Sequence, residues 1–87
     1  MRISKTKNFK KHYQQRVAKK DDKIFEHVLG KIVKNDPLDK NFKDHSLTGK
    51  LKDFRECHLK NNLLLVYQTL DNEIRLVDIG THAQLFE

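Results

Sequence analysis

Three of the five histidines lie where acid–base chemistry could be performed. His45 is in a polar stretch that precedes the strand-rich half, His58 is near the end of the first predicted strand of that half, and His82 directly follows the last. Imidazole, with an ordinary pKa of about 6.5, can both accept and donate a proton near neutral pH. Adjacent antiparallel strands can bring such positions together. The spacing is therefore compatible with one histidine site.

RNA cleavage without a metal is one reaction that needs a base and an acid together. A base removes the ribose 2′-OH proton, the oxygen attacks the adjacent phosphorus, an acid protonates the departing 5′ oxygen, and cations stabilise the extra phosphate charge. The three histidines alone leave this as one candidate among several. His12 and His27 lie on predicted helices without polar neighbours, so we expect them to be ordinary surface or interface residues.

A zinc site is the main chemical alternative, with His45, Cys57, His58 and His82 as possible ligands. Consecutive residues of a strand point to opposite faces, so Cys57 and His58 cannot both bind one ion there. The sequence therefore predicts no metal and no cofactor. The same alternation places Arg55 with Cys57, and Phe54 and Glu56 with His58.

Arg55 has two interpretations that the sequence leaves open. Its guanidinium could bind a substrate phosphate through two hydrogen bonds. It could equally pair with a carboxylate such as that of Asp53 or Asp78.

Positive charge is concentrated in the first twenty residues, which carry eight Lys and Arg and no acidic residue, within a net charge of +6. Such a surface favours a nucleic acid or an acidic protein as partner, although a solvated helix face would have the same composition. The single cysteine excludes an internal disulfide, and no apolar run is long enough to span a bilayer. We therefore expect a cytoplasmic protein that makes no membrane contact.

The hydrophobic pattern predicts an α+β fold in one domain, residues 1–87. A short N-terminal strand at 2–4 precedes a helix that Ser4 or Thr6 could cap, and Asp21 or Asp22 could cap a second helix that ends before Pro37. Together these two helices form an αα-hairpin. Residues 38–49 read as a connecting loop, and strands at about 50–60, 62–70 and 73–80 form an antiparallel meander.

Four ordered blocks of the C-terminal half form a more specific pattern than any single histidine. They are Lys43-Asp44-His45-Ser46-Leu47-Thr48-Gly49, Phe54-Arg55-Glu56-Cys57-His58, Leu64-Leu65-Val66-Tyr67 and Gly80-Thr81-His82-Ala83-Gln84-Leu85-Phe86. Over residues 37–86 the chain resembles the YafQ-type branch of the RelE/ParE bacterial toxins. The resemblance implies a RelE-like fold and cleavage of messenger RNA in the ribosomal A site without a metal. It also implies silencing by a cognate antitoxin, and it gives the basic first helix two uses, docking on ribosomal RNA and binding an acidic antitoxin segment.

The resemblance also assigns roles to residues. It implies catalytic histidines at His45, His58 and His82, and substrate contact by Phe86, whose ring could alternatively serve only as core. Arg55 and Asn62 are the further candidates for substrate binding.

Asn62 stands where that family usually has an aspartate that joins the proton-transfer group. An amide is not a base at neutral pH. His58 or His82 would then carry that role, or the protein would be slow, altered in specificity or inactive. The alternatives are a member that only binds an antitoxin and a ParE-like inhibitor of a topoisomerase.

Overall fold

A computed structural model of the protein describes residues 1–86, which form one five-stranded sheet with helices on both of its faces. The strands lie in the order β1-β5-β4-β3-β2, with β1 parallel to β5 and the other pairs antiparallel. The elements in chain order are β1 (Arg2–Lys5), α1 (Lys7–Arg16), α2 (Asp22–Val33), β2 (His45–Ser46), β3 (Arg55–Lys60), β4 (Leu63–Leu70), β5 (Glu73–Gly80) and α3 (His82–Phe86). The predicted α+β arrangement is confirmed.

The two long helices form the expected hairpin. Thr6 caps α1, because its hydroxyl oxygen accepts a hydrogen bond from the Phe9 amide at 3.0 Å. Asp21 precedes α2 without a side-chain capping bond, and its carboxylate instead pairs with the Lys60 ammonium at 2.8 Å. Ser4 donates its hydroxyl proton to Glu73, which fixes β1 against β5. None of the helices in residues 1–86 is long and apolar enough to cross a membrane.

The main core lies between the helix hairpin and one face of the sheet, which we call the core face. Phe9 and Val28 from the helices pack there with Leu65, Leu76 and Ile79 from the strands. Burying these apolar side chains supplies the main driving force for folding, at about 25 cal/mol per Å² removed from water.

The opposite side of the sheet, which we call the histidine face, has a smaller apolar cluster. Leu64 and Val66 of β4 are buried there, at 1% and 7% exposure, although they do not belong to the main core. β4 is therefore covered on both faces, as its uninterrupted apolar run predicts. A small cavity of about 150 Å³ lies beside Val66. It is lined by side chains of the β2–β3 connection and of α3, namely Leu47, Leu51, Phe54, Leu85 and Phe86.

Two boundaries differ from the sequence prediction. β3 begins at Arg55 and not near residue 50, because a 3₁₀ turn at Gly49–Leu51 and a positive φ of 66° at Gly49 interrupt the extended chain. The expected loop at 38–49 contains β2, which pairs His45 with Glu56 and Ser46 with Arg55. That pairing ties His45 directly to the sheet.

Candidate active site

Sheet pairing brings two of the predicted histidines to a buried carboxylate. His45 on β2 lies opposite Glu56 on β3, and His58 is two residues further along β3 on the same face. The Glu56 Oε1 atom lies 3.4 Å from His58 Nε2 and 3.9 Å from His45 Nε2. Glu56 is only 6% exposed. The two imidazoles are therefore the charge partners of a carboxylate that is largely withdrawn from water.

The backbone of the preceding turn orients the His45 ring. His45 Nδ1 lies 2.7 Å from the carbonyl oxygen of Lys43, a residue with a left-handed φ of 51°. A carbonyl can only accept, so Nδ1 is the donor in this hydrogen bond. His45 consequently presents Nε2 to Glu56.

α3 brings the third histidine and the predicted aromatic to the same site. The His82 and Phe86 rings lie on one side of this short helix, with their centroids 5.3 Å apart. Asn62, in the β3–β4 turn, accepts a hydrogen bond from the His82 backbone amide through Oδ1 at 3.4 Å. The amide thus helps to hold the start of α3.

Two adjacent openings contain these residues. The first is a cleft of about 320 Å³ lined by His45, Leu47, Thr48, Leu51, Glu56, His82 and Phe86. The second is a groove of about 500 Å³ lined by Asn41, Phe42, Lys43, His58, Leu59, Lys60, Asn61 and Asn62. His45 and His82 therefore share the cleft with Glu56, whereas His58 and Asn62 line the neighbouring groove.

Arg55 is not brought to this cleft. On the core face its guanidinium lies 3.1 Å from Asp44 Oδ2 and 2.9 Å from Ser46 Oγ. The Tyr67 hydroxyl donates to Asp44 Oδ1 at 2.6 Å. The bond to Asp44 raises the pKa of Arg55. Of the two interpretations left open, the structure shows pairing with a carboxylate, which is that of Asp44 and not of Asp53 or Asp78.

The expectation that His12 lacks polar neighbours is wrong. His12 Nδ1 lies 2.6 Å from Asp78 Oδ1, and both side chains are less than one quarter exposed. His27 is exposed, with its ring 6.0 Å from that of Phe42. His12 is thus paired with a carboxylate. His27 lies outside the histidine site.

Glu56 is the site residue to which the sequence analysis gave no role. Strand alternation already placed it on the face of His58. The missing information was the strand that carries His45, because only the β2–β3 pairing puts a second imidazole opposite Glu56. With that pairing known, a glutamate between two histidines would have indicated Glu56 as a site residue.

Cys57, the possible zinc ligand of the sequence prediction, lies on the core face and not on the histidine face. Cys57 belongs to the main core with 0% exposure, and burial raises the pKa of its thiol to about 12. Within residues 1–86, no group of three or more His, Cys, Asp or Glu side chains is arranged to hold a metal ion.

A search for related families identifies one that covers the whole chain. The sequence profile of the family described as "Bacterial toxin of type II toxin-antitoxin system, YafQ" matches residues 1–87. The mRNA interferase toxin YafQ of Escherichia coli strain K12 is 34% identical over 68 residues, which cover 77% of this chain and 74% of that protein.

Solved structures show the same fold. A metal-bound toxin from Helicobacter pylori superposes with a TM-score of 0.90 at 43% identity, covering 99% of each chain. A copper-bound mutant toxin from the same organism gives 0.92 at 37% identity and the same coverage. The DinJ–YafQ complex of E. coli gives 0.84 at 28% identity over 100% of each chain.

Proposed function

The chain belongs to the family of YafQ toxins of type II toxin–antitoxin systems, and we propose that it cleaves messenger RNA in the ribosomal A site by metal-free histidine acid–base catalysis. The arrangement of His45, Glu56, His58 and His82 on one side of the sheet supports this proposal most directly. The homologue named an mRNA interferase adds the class of reaction.

Each group has a role that follows from its position. Glu56 holds the imidazoles of His45 and His58 in place, because its carboxylate is buried between them. His58, at the junction of cleft and groove, takes the proton of the 2′-OH. His82, which lines the cleft, donates a proton to the departing 5′ oxygen. The Phe86 ring stacks on a base beside the cut.

The observed separations suit a site that tightens around substrate. A distance of 3.4 Å between Glu56 and His58 is longer than the usual hydrogen bond to a carboxylate, and catalytic hydrogen bonds commonly shorten when substrate binds. The cleft and the groove are each of a size that holds a small ligand. Together they accommodate nucleotides on both sides of the scissile bond.

The cognate antitoxin is the second partner in this proposal. The E. coli YafQ structure with DinJ is a complex of the type expected for this chain. The eight basic side chains of residues 1–20 favour an acidic antitoxin segment and also ribosomal RNA. An antitoxin segment that folds on binding would cover such a surface. This activity places the protein in the cytoplasm with the ribosome.

Primer extension on a translated message tests the proposal. We expect the unmodified chain to produce discrete cuts and His82→Ala to lose them, with His27→Ala as a matched control in which an exposed histidine away from the cleft is changed. The same RNA without ribosomes measures ribosome dependence, and we expect no discrete cuts there. Identical cuts by the His82→Ala protein would contradict the assigned role.

Growth assays distinguish the two alternative functions that the asparagine at position 62 suggests. Arrest with intact messages and blocked DNA replication would indicate a ParE-like topoisomerase inhibitor. No arrest, combined with antitoxin binding, would indicate a member that only binds its partner. Either result would overturn the ribonuclease proposal.

A further inference from the structure

Cleavage at this site requires a positive charge near the phosphate, and the cleft itself does not supply a permanent one. The cleft lining within residues 1–86 contains histidines and Glu56 but neither lysine nor arginine. Arg55 is held on the core face by Asp44. Lys60, in the adjacent groove, is paired with Asp21 at 2.8 Å. Lys43 lines the same groove, and a further cation reaches the histidine face from another element.

Arg16, the last residue of α1, reaches the histidine face by passing over the open edge of β5. β1 pairs only with the first half of β5, so the carbonyl of Ile79 lies beyond the end of β1. Arg16 Nη1 donates to this carbonyl at 3.0 Å. The Arg16 side chain remains 19% exposed.

Gly80 shows on which face the guanidinium lies. A Cβ atom built on Gly80 would be 2.7 Å from Arg16 Nη1 and 2.7 Å from Gln84 Oε1, so Arg16 occupies the space that a side chain would fill. Residues directly opposite each other in antiparallel strands project to the same face. Gly80 lies opposite Leu64, and Leu64 lies opposite His58. The guanidinium therefore lies over the histidine face.

The strand pairing also gives the approximate distance from Gly80 to His58, the proposed base. Gly80 and His58 are separated by two strand spacings, or roughly 10 Å between backbones at the usual ~4.8 Å per strand. His82 is two residues beyond Gly80, at the start of α3. Arg16 thus lies on the same face as His58, against the residue two positions before His82.

Asp78, which is itself paired with His12, positions the Arg16 side chain. Asp78 Oδ1 lies 3.9 Å from Arg16 Nη1 and 2.6 Å from His12 Nδ1, and it accepts a hydrogen bond from the Ile79 amide at 2.8 Å. A carboxylate with this many partners is fixed in place. It orients the guanidinium without neutralising it by close contact, because 3.9 Å is longer than a direct hydrogen bond.

We propose that Arg16 is a catalytic residue that binds the non-bridging oxygens of the scissile phosphate, with Asp78 and His12 as its positioning residues. The proposal rests on the proposed ribonuclease function. As the 2′ oxygen bonds to phosphorus and the bond to the 5′ oxygen breaks, the 2′-OH proton goes to His58 and the 5′ oxygen receives a proton from His82. The products are a 2′,3′-cyclic phosphate and a 5′-OH. Arg16 gains and loses no proton, and it stabilises the charge that develops on the phosphate.

Single-turnover cleavage of a translated message tests the role of Arg16. We expect Arg16→Gln to slow cleavage about 10²- to 10³-fold, the usual loss when one charge-stabilising donor is removed, and Arg16→Lys to restore part of the rate. Arg75→Gln is the matched control, because it removes the same charge from an arginine on β5 that is paired with Glu73. We expect the control to cleave at the unmodified rate.

Sulfur substitution separates binding of the phosphate from support of the fold. The unmodified protein should discriminate between the two phosphorothioate diastereomers at the cut, since Arg16 contacts one non-bridging oxygen more closely, and Arg16→Gln should lose that discrimination. A slower variant that retains the discrimination would show that Arg16 acts only through the fold and would overturn the proposal. An unchanged rate in Arg16→Gln would overturn it as well.

Two further outcomes keep the test decisive. If Arg16→Gln fails to fold, Arg16→Met carries the same comparison, because it keeps an unbranched side chain without the charge, and unchanged discrimination in that variant counts against phosphate contact. If the unmodified protein makes no cuts, the ribonuclease function itself fails, which differs visibly from active protein that is insensitive to Arg16.

Discussion

The two faces of β3 carry polar side chains in opposite states. On the core face, Arg55 joins Asp44 and Tyr67 in a network whose hydrogen bonds measure 2.6 to 3.4 Å. On the histidine face, Glu56 approaches His58 and His45 only to 3.4 and 3.9 Å. Alternate residues of one six-residue strand thus serve two different purposes.

The two sets of side chains differ in how closely they are paired, although both border an opening in the surface. Burial and the hydrogen bond to Asp44 raise the pKa of Tyr67, so its hydroxyl stays protonated and continues to donate. Arg55 and Asp44 are 36% and 25% exposed and line a groove of about 580 Å³, yet their hydrogen bonds to each other and to Tyr67 are complete. The groups on the histidine face border open clefts. The 3.4 and 3.9 Å contacts of Glu56 are ones that substrate binding could shorten.

Glu56→Gln should produce the largest effect on this comparison. The amide keeps the shape but removes the charge that holds the imidazoles, so we expect cleavage to fall about 10²-fold or more, within the range for proton-transfer groups. The free energy of unfolding should change by less than about 1 kcal/mol, because the amide keeps the size and hydrogen-bonding capacity of the buried group and the imidazole contacts it weakens are long. Single-turnover cleavage and urea unfolding measure the two quantities. A stability loss as large as that of a core variant would break the distinction between the faces.

Tyr67→Phe is the converse test on the core face. Removing the hydroxyl leaves Asp44 Oδ1 without its 2.6 Å donor, so we expect a loss of about 1–2 kcal/mol in the free energy of unfolding. Cleavage by the folded variant should stay within a few-fold of the unmodified rate. Urea unfolding monitored by circular dichroism gives the first quantity, and cleavage at low temperature gives the second. Loss of cleavage without loss of stability would show that the core-face network belongs to the active site.

Asn62→Asp should produce the smallest change, and in the opposite direction. A carboxylate can keep the hydrogen bond that Oδ1 accepts from the His82 amide, while adding negative charge beside His58 and His82. We expect cleavage to rise a few-fold, because a nearby carboxylate favours protonated imidazole. The pH profile of single-turnover cleavage should move to higher pH, with the sign set by that stabilisation. A fall in rate would show that the amide itself is used for substrate binding.

Strand alternation predicted the division of β3 correctly. It separated Cys57 and Arg55 from His58, and the ordered blocks around His45 and His82 indicated the family that the comparisons then identified. These signals are local, because they depend on a period of two and on short runs of residues. The candidate roles of His45, His58, His82 and Phe86 remain predictions that the cleavage experiments address.

The remaining features depend on contacts that have no sequence period. β2 contains two residues, which is too short for any alternation, so the partner of Glu56 could not be identified. The register shift between Val66 and Tyr67 in the β4–β5 pairing changes which residues of β5 face the helices. Asp78 lies opposite Val66, on the histidine face, and His12 contacts it from a helix 66 positions earlier in the chain. Only the folded backbone brings such pairs together.

The parallel pairing of β1 with β5 also has a consequence for how the protein is made. Arg2 and Glu73 are 71 positions apart, so the first strand to be synthesised has no sheet partner until almost all of the described chain exists. Contacts of such long sequence separation form slowly, because the loop-closure entropy is lost before they form. The Ile79 carbonyl and Gly80, which position Arg16, come later still. Assembly of the site therefore waits until β5 has been synthesised and has paired with β1.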